Sequence, residues 1–304
     1  MMAATLMGQP DAAMTWDAAA AGWDRHSGLI RHWLQEATAA MLDAAGVRAG
    51  SRVLDVAAGA GDQSLDIAAR IGPTGRLLIT DISAGILALA ERKLRAAGCT
   101  QVEALHADAE TLQLRLQLRL QLRPQLHSAG FDAAICRLGL MFCISPQQAL
   151  QGILQALAPG GRFSALVFAG PEHNPCIATL GATALQHAGL PPATPFKPGT
   201  LMSLGQPGSM NGLLAAAGFS DICVRALDAP MRLPNVQHYI DFVQTAGLPI
   251  MAILAPLPAA AQEAAWQDIE QQLQRFNTGD EWVGPNQLLL CTATRPPPAG
   301  GHPK

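Results

Sequence analysis

The chain has 304 residues, of which 49% are hydrophobic and 14% charged, and its formal net charge is −3. This composition provides enough apolar surface for a sizeable core, which excludes a disordered chain, and its slight acidity argues against a nucleic-acid-binding protein. The six cysteines lie far apart without a Cys-x-x-Cys pair, so neither a metal centre nor a disulfide framework is expected.

The N-terminus shows no secretory signal, because three acidic residues precede the first basic residue, Arg25. The uncharged run from Phe242 to Gln262 contains one glycine and three prolines. Such a run suits a loop flanked by helix ends better than a helix that spans a membrane. We therefore predict a cytoplasmic protein without an integral membrane segment.

A loose tail over residues 1–13 precedes a region in which apolar residues recur at helical spacing, from Trp16 to about Ala45. Residues 14–45 are predicted to form one or two helices that act as a lid. Strands and helices then alternate. The predicted strands are Arg52–Val56, Arg76–Thr80, Val102–Leu105, Phe131–Cys136, Arg162–Phe168, Asp221–Leu227 and Gln287–Thr294. The predicted helices are Asp62–Ile71, Ala84–Ala97, Pro146–Ala158, Met210–Ala217, Val236–Ala246 and Ala259–Phe276.

This alternation predicts an α/β fold with a doubly wound, mostly parallel, seven-stranded sheet, because parallel neighbours need crossover connections. We interpret residues 14–304 as a single domain. Its core is residues 46–170, and residues 171–304 supply helical additions on the substrate side together with the last two strands.

The segment 112–127 breaks the pattern, since Leu-Gln-Leu-Arg occurs three times before Pro-Gln-Leu-His. Leucine at every second position predicts a short exposed hairpin or an edge strand and disfavours a helix, which leucines would surround. The repeat is interpreted either as a tolerated surface insertion or as an oligomer contact or membrane-surface patch.

The clearest chemical signal is the run Val53-Leu54-Asp55-Val56-Ala57-Ala58-Gly59-Ala60-Gly61-Asp62. An apolar strand ends in this turn, whose glycines let a ligand approach the backbone closely before a helix begins. The dinucleotide fingerprint needs a third glycine, but Ser64 stands at that position, and Asp62 would oppose a pyrophosphate. A ligand without phosphates fits this turn better.

Two further acids follow the next two predicted strands. Asp81 ends the second strand, where a carboxylate can accept both hydroxyls of a ribose. Asp108 follows the third strand, and the carboxyl ends of parallel strands share one crevice. A proline-glycine turn, Pro159-Gly160-Gly161, then leads into the fifth strand.

In this order and spacing, these motifs resemble those of class I S-adenosylmethionine-dependent methyltransferases, in particular the ubiquinone/menaquinone-biosynthesis C-methyltransferases. The family's strand-Asp-Val-Ala-x-Gly-x-Gly-Asp turn is matched by Asp55–Asp62. Its Gly-Asp-Ala-Glu segment is matched by Ala107–Glu110, and its Phe-Asp…Phe-Gly-Leu run by Phe131-Asp132…Leu138-Gly139-Leu140. The resemblance covers roughly residues 16–170 and implies a Rossmann-like methyltransferase fold with S-adenosyl-L-methionine as cofactor.

The resemblance also implies roles for single residues. Asp55 belongs to the turn of Ala57, Gly59, Ala60 and Gly61, which would wrap the methionine part of the cofactor. Asp81 and Ile82 would hold the ribose, and Asp108 and Ala109 the adenine. Arg137 departs from the family, which has a small hydroxyl residue there. It could pair with the cofactor carboxylate, bind an anionic substrate or point to solvent.

Candidate catalytic residues are two histidines, because a general base helps when the methyl acceptor is a phenol or an enol-like carbon. His173 lies just beyond the fifth strand, and His26 lies in the lid region. Trp23, Met141 and Phe142 are candidates for an apolar substrate pocket, with core packing as the alternative.

The sequence predicts methyl transfer to the carbon or oxygen of a small aromatic, quinone-like or polyketide-like metabolite. A non-methylating reaction in the same fold and an NAD-dependent oxidoreductase are the alternatives. Nucleic-acid methylation is disfavoured, because Arg137 and its neighbours replace the Asn/Asp-Pro-Pro-aromatic tetrad expected after the fourth strand. The expected partner is the small-molecule substrate, a nucleic-acid partner is not expected, and a homodimer is possible.

Overall fold

The computed structural model describes residues 12–122 and 130–297. Two helices open this part of the chain, α1 (Ala12–Arg25) and α2 (Ser27–Ala44). The core follows as β1 (Arg52–Val56), α3 (Asp62–Ile71), β2 (Arg76–Asp81), α4 (Ala84–Ala96), β3 (Val102–His106), α5 (Leu112–Leu122), β4 (Phe131–Arg137), α6 (Pro146–Ala156) and β5 (Leu157–Phe168). The remainder is α7 (Pro175–His187), α8 (Ser209–Ala217), β6 (Ser220–Asp228), β7 (Met231–Leu233), α9 (Val236–Ala246), α10 (Leu248–Leu254), α11 (Ala259–Leu273), β8 (Trp282–Gly284) and β9 (Gln287–Thr294).

Seven strands form one sheet in the order β3-β2-β1-β4-β5-β9-β6. Strands β1 to β5 pair in parallel, and β9 pairs antiparallel with both β5 and β6. The predicted doubly wound, mostly parallel sheet is confirmed. Because the chain runs outward from β1 in both directions, the carboxyl ends of β1 and β4 flank the crevice where open α/β sheets bind ligands.

The helices beside the sheet bury the apolar faces that their spacing predicts. Helix α2 buries Ile30, Leu34 and Met41, which follow one another at intervals of four and seven residues on one face. Helix α4 begins where the Ser83 hydroxyl accepts the backbone N–H of Ile86 at 3.0 Å. These contacts fix the helices that surround the ends of β1 and β2.

Two acidic side chains tie helix α1 to α4 and the residue that caps it. Asp17 accepts a hydrogen bond from the Ser83 hydroxyl and another, of 2.9 Å, from the backbone N–H of Gly85 at the start of α4. Near the other end, Lys93 of α4 lies 3.3 Å from Asp24. The region predicted as a lid is therefore helical and fastened to α4.

A second hydrophobic cluster lies among the C-terminal helices α7, α9, α10 and α11 and the two-stranded sheet of β7 and β8. Its centre is the fully buried Trp282, which stacks on Tyr239 at 4.6 Å between ring centroids. Trp33 of α2 packs against both this cluster and the main core. Its indole nitrogen donates to the Ala229 carbonyl at 2.7 Å.

The prediction that the leucine repeat forms a hairpin or edge strand is wrong, because residues 112–122 form α5. A four-residue repeat is close to one helical turn, so each of its four positions forms its own stripe along the helix, and the leucines form two. Leu112 is fully buried and Leu116 packs against the core, whereas Leu114 is 57% exposed. Residues 123–127 of the repeat lie outside the described residues.

Other boundaries also differ from the sequence predictions. Strand β5 begins at Leu157 rather than Arg162, because Phe131 already pairs with Leu157. The run expected to be a loop with helix ends contains α10, and α7 was not predicted. Among the residues that the structure describes, no helix is long and apolar enough to cross a membrane.

Candidate ligand-binding site

A cavity of about 380 Å³ opens at the carboxyl ends of the parallel strands. The segments that follow β1, β2, β3 and β4 form its floor, and α1 and α2 form the wall above them. A volume of this size is typical of sites for small molecules. The cavity is lined by Trp16, Trp23, Ile30, Leu34, Ala57, Ala58, Gly59, Ala60, Asp62, Gln63, Asp81, Ile82, Ile86, Ala107, Asp108, Ala109, Glu110, Arg137, Leu138, Gly139, Phe142 and Cys143.

The turn after β1 needs glycine at two positions, for different reasons. Gly61 has a φ of +85°, and a Cβ there would lie 2.9 Å from the Cα of Ala90 on α4. Gly59 has a φ of +56°, and a Cβ there would meet nothing within 4 Å. Gly61 therefore lets α3 approach α4, whereas Gly59 leaves open space beside the cavity.

Asp81 is buried at the end of β2 and holds the turn from the side. One of its carboxylate oxygens accepts the backbone N–H of Gly59 at 3.0 Å, and the other accepts that of Ser83 at 2.9 Å. Burial raises the pKa of Asp81, and these backbone hydrogen bonds oppose the shift. Each oxygen retains a second lone pair, so the carboxylate can still accept hydroxyl groups of a ligand.

Asp55 lies beneath the turn rather than in the cavity wall. Its fully buried carboxylate accepts hydrogen bonds from the Ser64 hydroxyl at 2.6 Å and the Gln63 amide at 3.3 Å. Burial raises the pKa of Asp55 to about 6, although these two hydrogen bonds oppose the shift. Asp55 thus fixes the start of α3, and a role in cofactor binding would be indirect.

The segment after β3 places Asp108, Ala109 and Glu110 against the cavity. Asp108 accepts the backbone N–H of Glu110 at 2.9 Å. Glu110 in turn accepts the backbone N–H groups of Ile144 at 2.8 Å and Ser145 at 3.1 Å. Asp108 therefore stabilises its own loop, and Glu110 joins that loop to the segment before α6.

Arg137 ends β4 and lines the cavity, so the structure excludes the interpretation in which it points to solvent. Its Nη1 donates to the Thr38 hydroxyl of α2 at 3.0 Å. Burial lowers the pKa of Arg137, and the charges of Asp62 and Asp55 oppose that shift. An arginine remains protonated at neutral pH even so.

Three aromatic side chains form one wall of the cavity. Trp16 and Trp23 belong to α1, and Phe142 lies in the loop after β4. The ring centroid of Trp16 lies 6.2 Å from that of Trp23 and 5.1 Å from that of Phe142. The buried indole nitrogen of Trp23 has no hydrogen-bond partner among the described residues. Met141, also predicted to contact substrate, is instead buried in the core and does not line the cavity.

The structure brings neither candidate catalytic histidine to the cavity. The side chain of His173 is 52% exposed, and its Nε2 lies 3.7 Å from Glu172. His26 faces α9, where its Nε2 lies 2.6 Å from the Thr245 hydroxyl and its ring packs edge-on against Phe242. Burial lowers the pKa of His26. We therefore assign neither histidine a catalytic role.

Sequence reasoning missed the apolar wall that α2 provides through Ile30 and Leu34, and the contributions of Gln63 and Cys143. Helical spacing predicted that Ile30 and Leu34 are buried, but it carries no information on what they face. Within the described ranges, no group of three or more histidine, cysteine or acidic side chains is arranged to hold a metal ion.

Comparison with protein families matches residues 28–180 to the ubiE/COQ5 methyltransferase family. The ubiquinone/menaquinone biosynthesis C-methyltransferase UbiE of Pseudomonas aeruginosa (strain LESB58) is 34% identical over 134 residues, which are 44% of this chain and 48% of that protein. The UbiE of Pseudomonas fluorescens (strain Pf0-1) is 34% identical over 147 residues, 48% of this chain and 51% of that protein. The chain thus spans about half the length of the curated relatives that it matches.

Two solved structures share the fold over most of the chain. The YcgJ protein of Bacillus subtilis has a TM-score of 0.54 at 16% identity, covering 86% of this chain and 99% of that one. A Haemonchus contortus phosphoethanolamine N-methyltransferase, solved with phosphomonomethylethanolamine and S-adenosylhomocysteine, has a TM-score of 0.54 at 16% identity, covering 90% of this chain and 58% of that one. At this level of identity, the likeness concerns the fold.

Proposed function

This chain belongs to the ubiE/COQ5 methyltransferase family, and we propose that it transfers a methyl group from S-adenosylmethionine to a carbon or oxygen atom of a small aromatic, quinone-like or polyketide-like acceptor. The observation that carries the proposal is the Asp81 carboxylate, which lines the cavity at the end of β2 and braces the glycine turn at 3.0 Å. A carboxylate at this position suits the two hydroxyls of a ribose.

The lining of the cavity supports contacts to each part of the cofactor. Asp81 and Ile82 would hold the ribose, and Asp108 and Ala109 would lie beside the adenine. The open face of Gly59 admits a ligand against the backbone, together with Ala57 and Ala60. Gly61 and Asp55 would contribute indirectly. Gly61 lets the turn pack against α4, and Asp55 fixes the start of α3.

When bound, the cofactor supplies a methyl group on a positively charged sulfur. The products would be S-adenosylhomocysteine, the methylated acceptor and the proton that the acceptor gives up. The protein's task is to hold the two molecules in line and to exclude water. Helices α1 and α2 do so by covering the cavity.

The acceptor would lie against the aromatic wall of Trp16, Trp23 and Phe142. Flat rings stack well against such side chains. The unpaired indole N–H of Trp23 can donate to an oxygen on that ring, because a buried donor without a partner is costly. These two features support an aromatic acceptor that carries oxygen. A cytoplasmic location and a homodimer remain predictions from the sequence.

The proposal is tested by incubating the protein with a metabolite extract and methyl-labelled S-adenosylmethionine, followed by mass spectrometry. We expect a labelled product heavier than its precursor by one CH₂ unit. A product without the label would indicate a non-methylating reaction. Calorimetric binding of NAD, but not of S-adenosylmethionine or S-adenosylhomocysteine, would indicate an oxidoreductase instead.

The Asp81→Asn variant tests the ribose contact. This change should weaken S-adenosylhomocysteine binding by at least about 1.5–3 kcal/mol, because the ribose loses a charged acceptor and one of the backbone N–H groups of Gly59 and Ser83 loses its acceptor. Asp66→Asn is the matched control, since Asp66 pairs with Arg31 outside the cavity. Calorimetry that gives wild-type affinity for a folded Asp81→Asn variant would contradict this role.

A further inference from the structure

The cavity contains a cation at the end opposite the proposed nucleoside contacts. Asp81 ends β2 and Asp108 follows β3, and these two strands lie on one side of β1 in the sheet. Arg137 ends β4, on the other side of β1. A ligand that lies across the strand ends with its nucleoside over β2 and β3 would therefore extend its other end toward Arg137.

Arg137 has no counter-ion among the residues that the structure describes. No carboxylate oxygen there lies within the 4.0 Å of an ion pair, and its hydrogen bond to Thr38 uses one of the five N–H donors of a guanidinium. Arg137 is partly buried, and a charge withdrawn from water without a partner is unfavourable, so its guanidinium is expected to meet a negative charge that the described residues do not supply.

The acidic residues nearest to Arg137 are all engaged elsewhere. Asp62 accepts hydrogen bonds from Lys93 at 3.0 Å and from the Ser27 hydroxyl. Asp55 is held by Ser64 and Gln63, and Asp66 pairs with Arg31 at 2.6 Å. The negative charges of these carboxylates act from a distance and reduce the free-energy cost of burying the guanidinium. None of them accepts a hydrogen bond from it.

We propose that Arg137 is the receptor for a carboxylate group of a small molecule bound in the cavity. A planar guanidinium matches a carboxylate through two parallel N–H···O hydrogen bonds, which fixes orientation as well as position. The carboxylate has two sources, the amino-acid end of the cofactor and an acidic acceptor. This inference rests on the proposed function for the first source and is independent of it for the second.

Two pairs of probes separate these sources by calorimetry. S-adenosylhomocysteine is compared with methylthioadenosine, which lacks the amino-acid end. Salicylate is compared with salicylamide, its neutral counterpart, in protein saturated with S-adenosylhomocysteine. We expect Arg137→Met to weaken the carboxylate-bearing member of one pair by about ten- to a hundredfold and to change the other member by less than about twofold.

A loss confined to S-adenosylhomocysteine assigns Arg137 to the cofactor, and a loss confined to salicylate assigns it to the acceptor. Unchanged ratios within both pairs would overturn the proposal. Arg137→Lys, which keeps the charge without the planar fork, should show an intermediate loss, and it serves as the test if Arg137→Met does not fold. Arg70→Met, which removes an arginine paired with Asp43 on the surface, should leave all four affinities unchanged.

The two proposals fail in different ways. If the wild-type protein binds neither S-adenosylhomocysteine nor methylthioadenosine, the proposed function is wrong. The salicylate pair is then titrated into the protein alone. A preference for salicylate that Arg137→Met abolishes would still support the carboxylate receptor, and equal binding of both compounds would overturn it.

Discussion

At the scale of single residues, Asp55 places an ionisable carboxyl group in a fully buried environment beneath the glycine turn. Asp55 is fully buried, and its carboxylate accepts only two side-chain hydrogen bonds from described residues. Its pKa of about 6 lies well above the value of an exposed aspartate. The folded protein therefore binds a proton at Asp55 over a pH range in which the unfolded chain has released it.

This shift predicts a pH dependence of stability. The contribution of Asp55 is fully present below the unfolded pKa of about 4, and it is lost as the pH rises through about 6. Asp55→Asn does not titrate. The free energy of unfolding of the wild type relative to this variant should therefore fall by roughly 2 kcal/mol between pH 4 and pH 7. Urea unfolding at several pH values measures this difference, and a constant difference would contradict the assignment.

Among the elements, α1 depends on one close contact with α9. A Cβ at Gly22 would lie 2.0 Å from the carbonyl oxygen of Thr245, so the helices can approach only because position 22 lacks a side chain. His26, one turn further along, bonds the Thr245 hydroxyl at 2.6 Å. The lid is therefore positioned by α9 as well as by α4.

Gly22→Ala should displace α1 from α9. We expect a loss of about 1–3 kcal/mol in the free energy of unfolding and faster hydrogen exchange in α1, because the backbone of α9 has to move. Gly28→Ala is the control, since a Cβ there meets nothing within 4 Å. It should be neutral or stabilising by up to about 1 kcal/mol. Equal effects of the two variants would show that the contact does not position the lid.

Helix α5 offers a second contrast, between two leucines of one repeat. Leu112 is 0% exposed and Leu114 is 57% exposed. Leu112→Ala should lower the free energy of unfolding by about 2–5 kcal/mol, because it leaves a cavity in the core. Leu114→Ala should change it by less than about 0.5 kcal/mol. Urea unfolding of both variants measures the contrast, and similar losses would mean that the two stripes are equally buried.

At the scale of the whole molecule, two hydrophobic clusters share a small number of side chains. The main cluster surrounds the seven-stranded sheet, and the second lies among the C-terminal helices. Trp33 packs against both and bonds Ala229, and its ring lies 6.3 Å from that of Phe168. It therefore couples α2, which lines the cavity, to the C-terminal region.

Trp33→Ala should weaken this coupling. The expected loss is about 3–5 kcal/mol in the free energy of unfolding, and near-UV and far-UV circular dichroism should no longer give the same urea transition. Trp266→Ala is the control, because, of the two clusters described here, Trp266 packs only against the second. It should keep the transitions coincident. Coincident transitions in Trp33→Ala would mean that other contacts join the clusters.

Much of the cofactor-side architecture follows from local sequence. The strand-turn-helix pattern at Asp55–Asp62 and the acid that ends β2 predicted where the crevice lies, because the carboxyl ends of parallel strands share one edge. The alternation of apolar strands with amphipathic helices predicted the seven-stranded sheet. These features depend on residues that are close together in the chain. Their sequence patterns therefore predict them without knowledge of tertiary contacts.

Only the tertiary structure decided which way individual side chains face. His26 meets α9, Met141 is in the core, and Arg137 reaches Thr38 on α2, each through partners far away in sequence. The helical state of α5 likewise depends on the burial of Leu112 and Leu116 against other elements. Local periodicity determines which face of an element is apolar, but the free energy that selects its neighbours comes from contacts that exist only once the chain is folded.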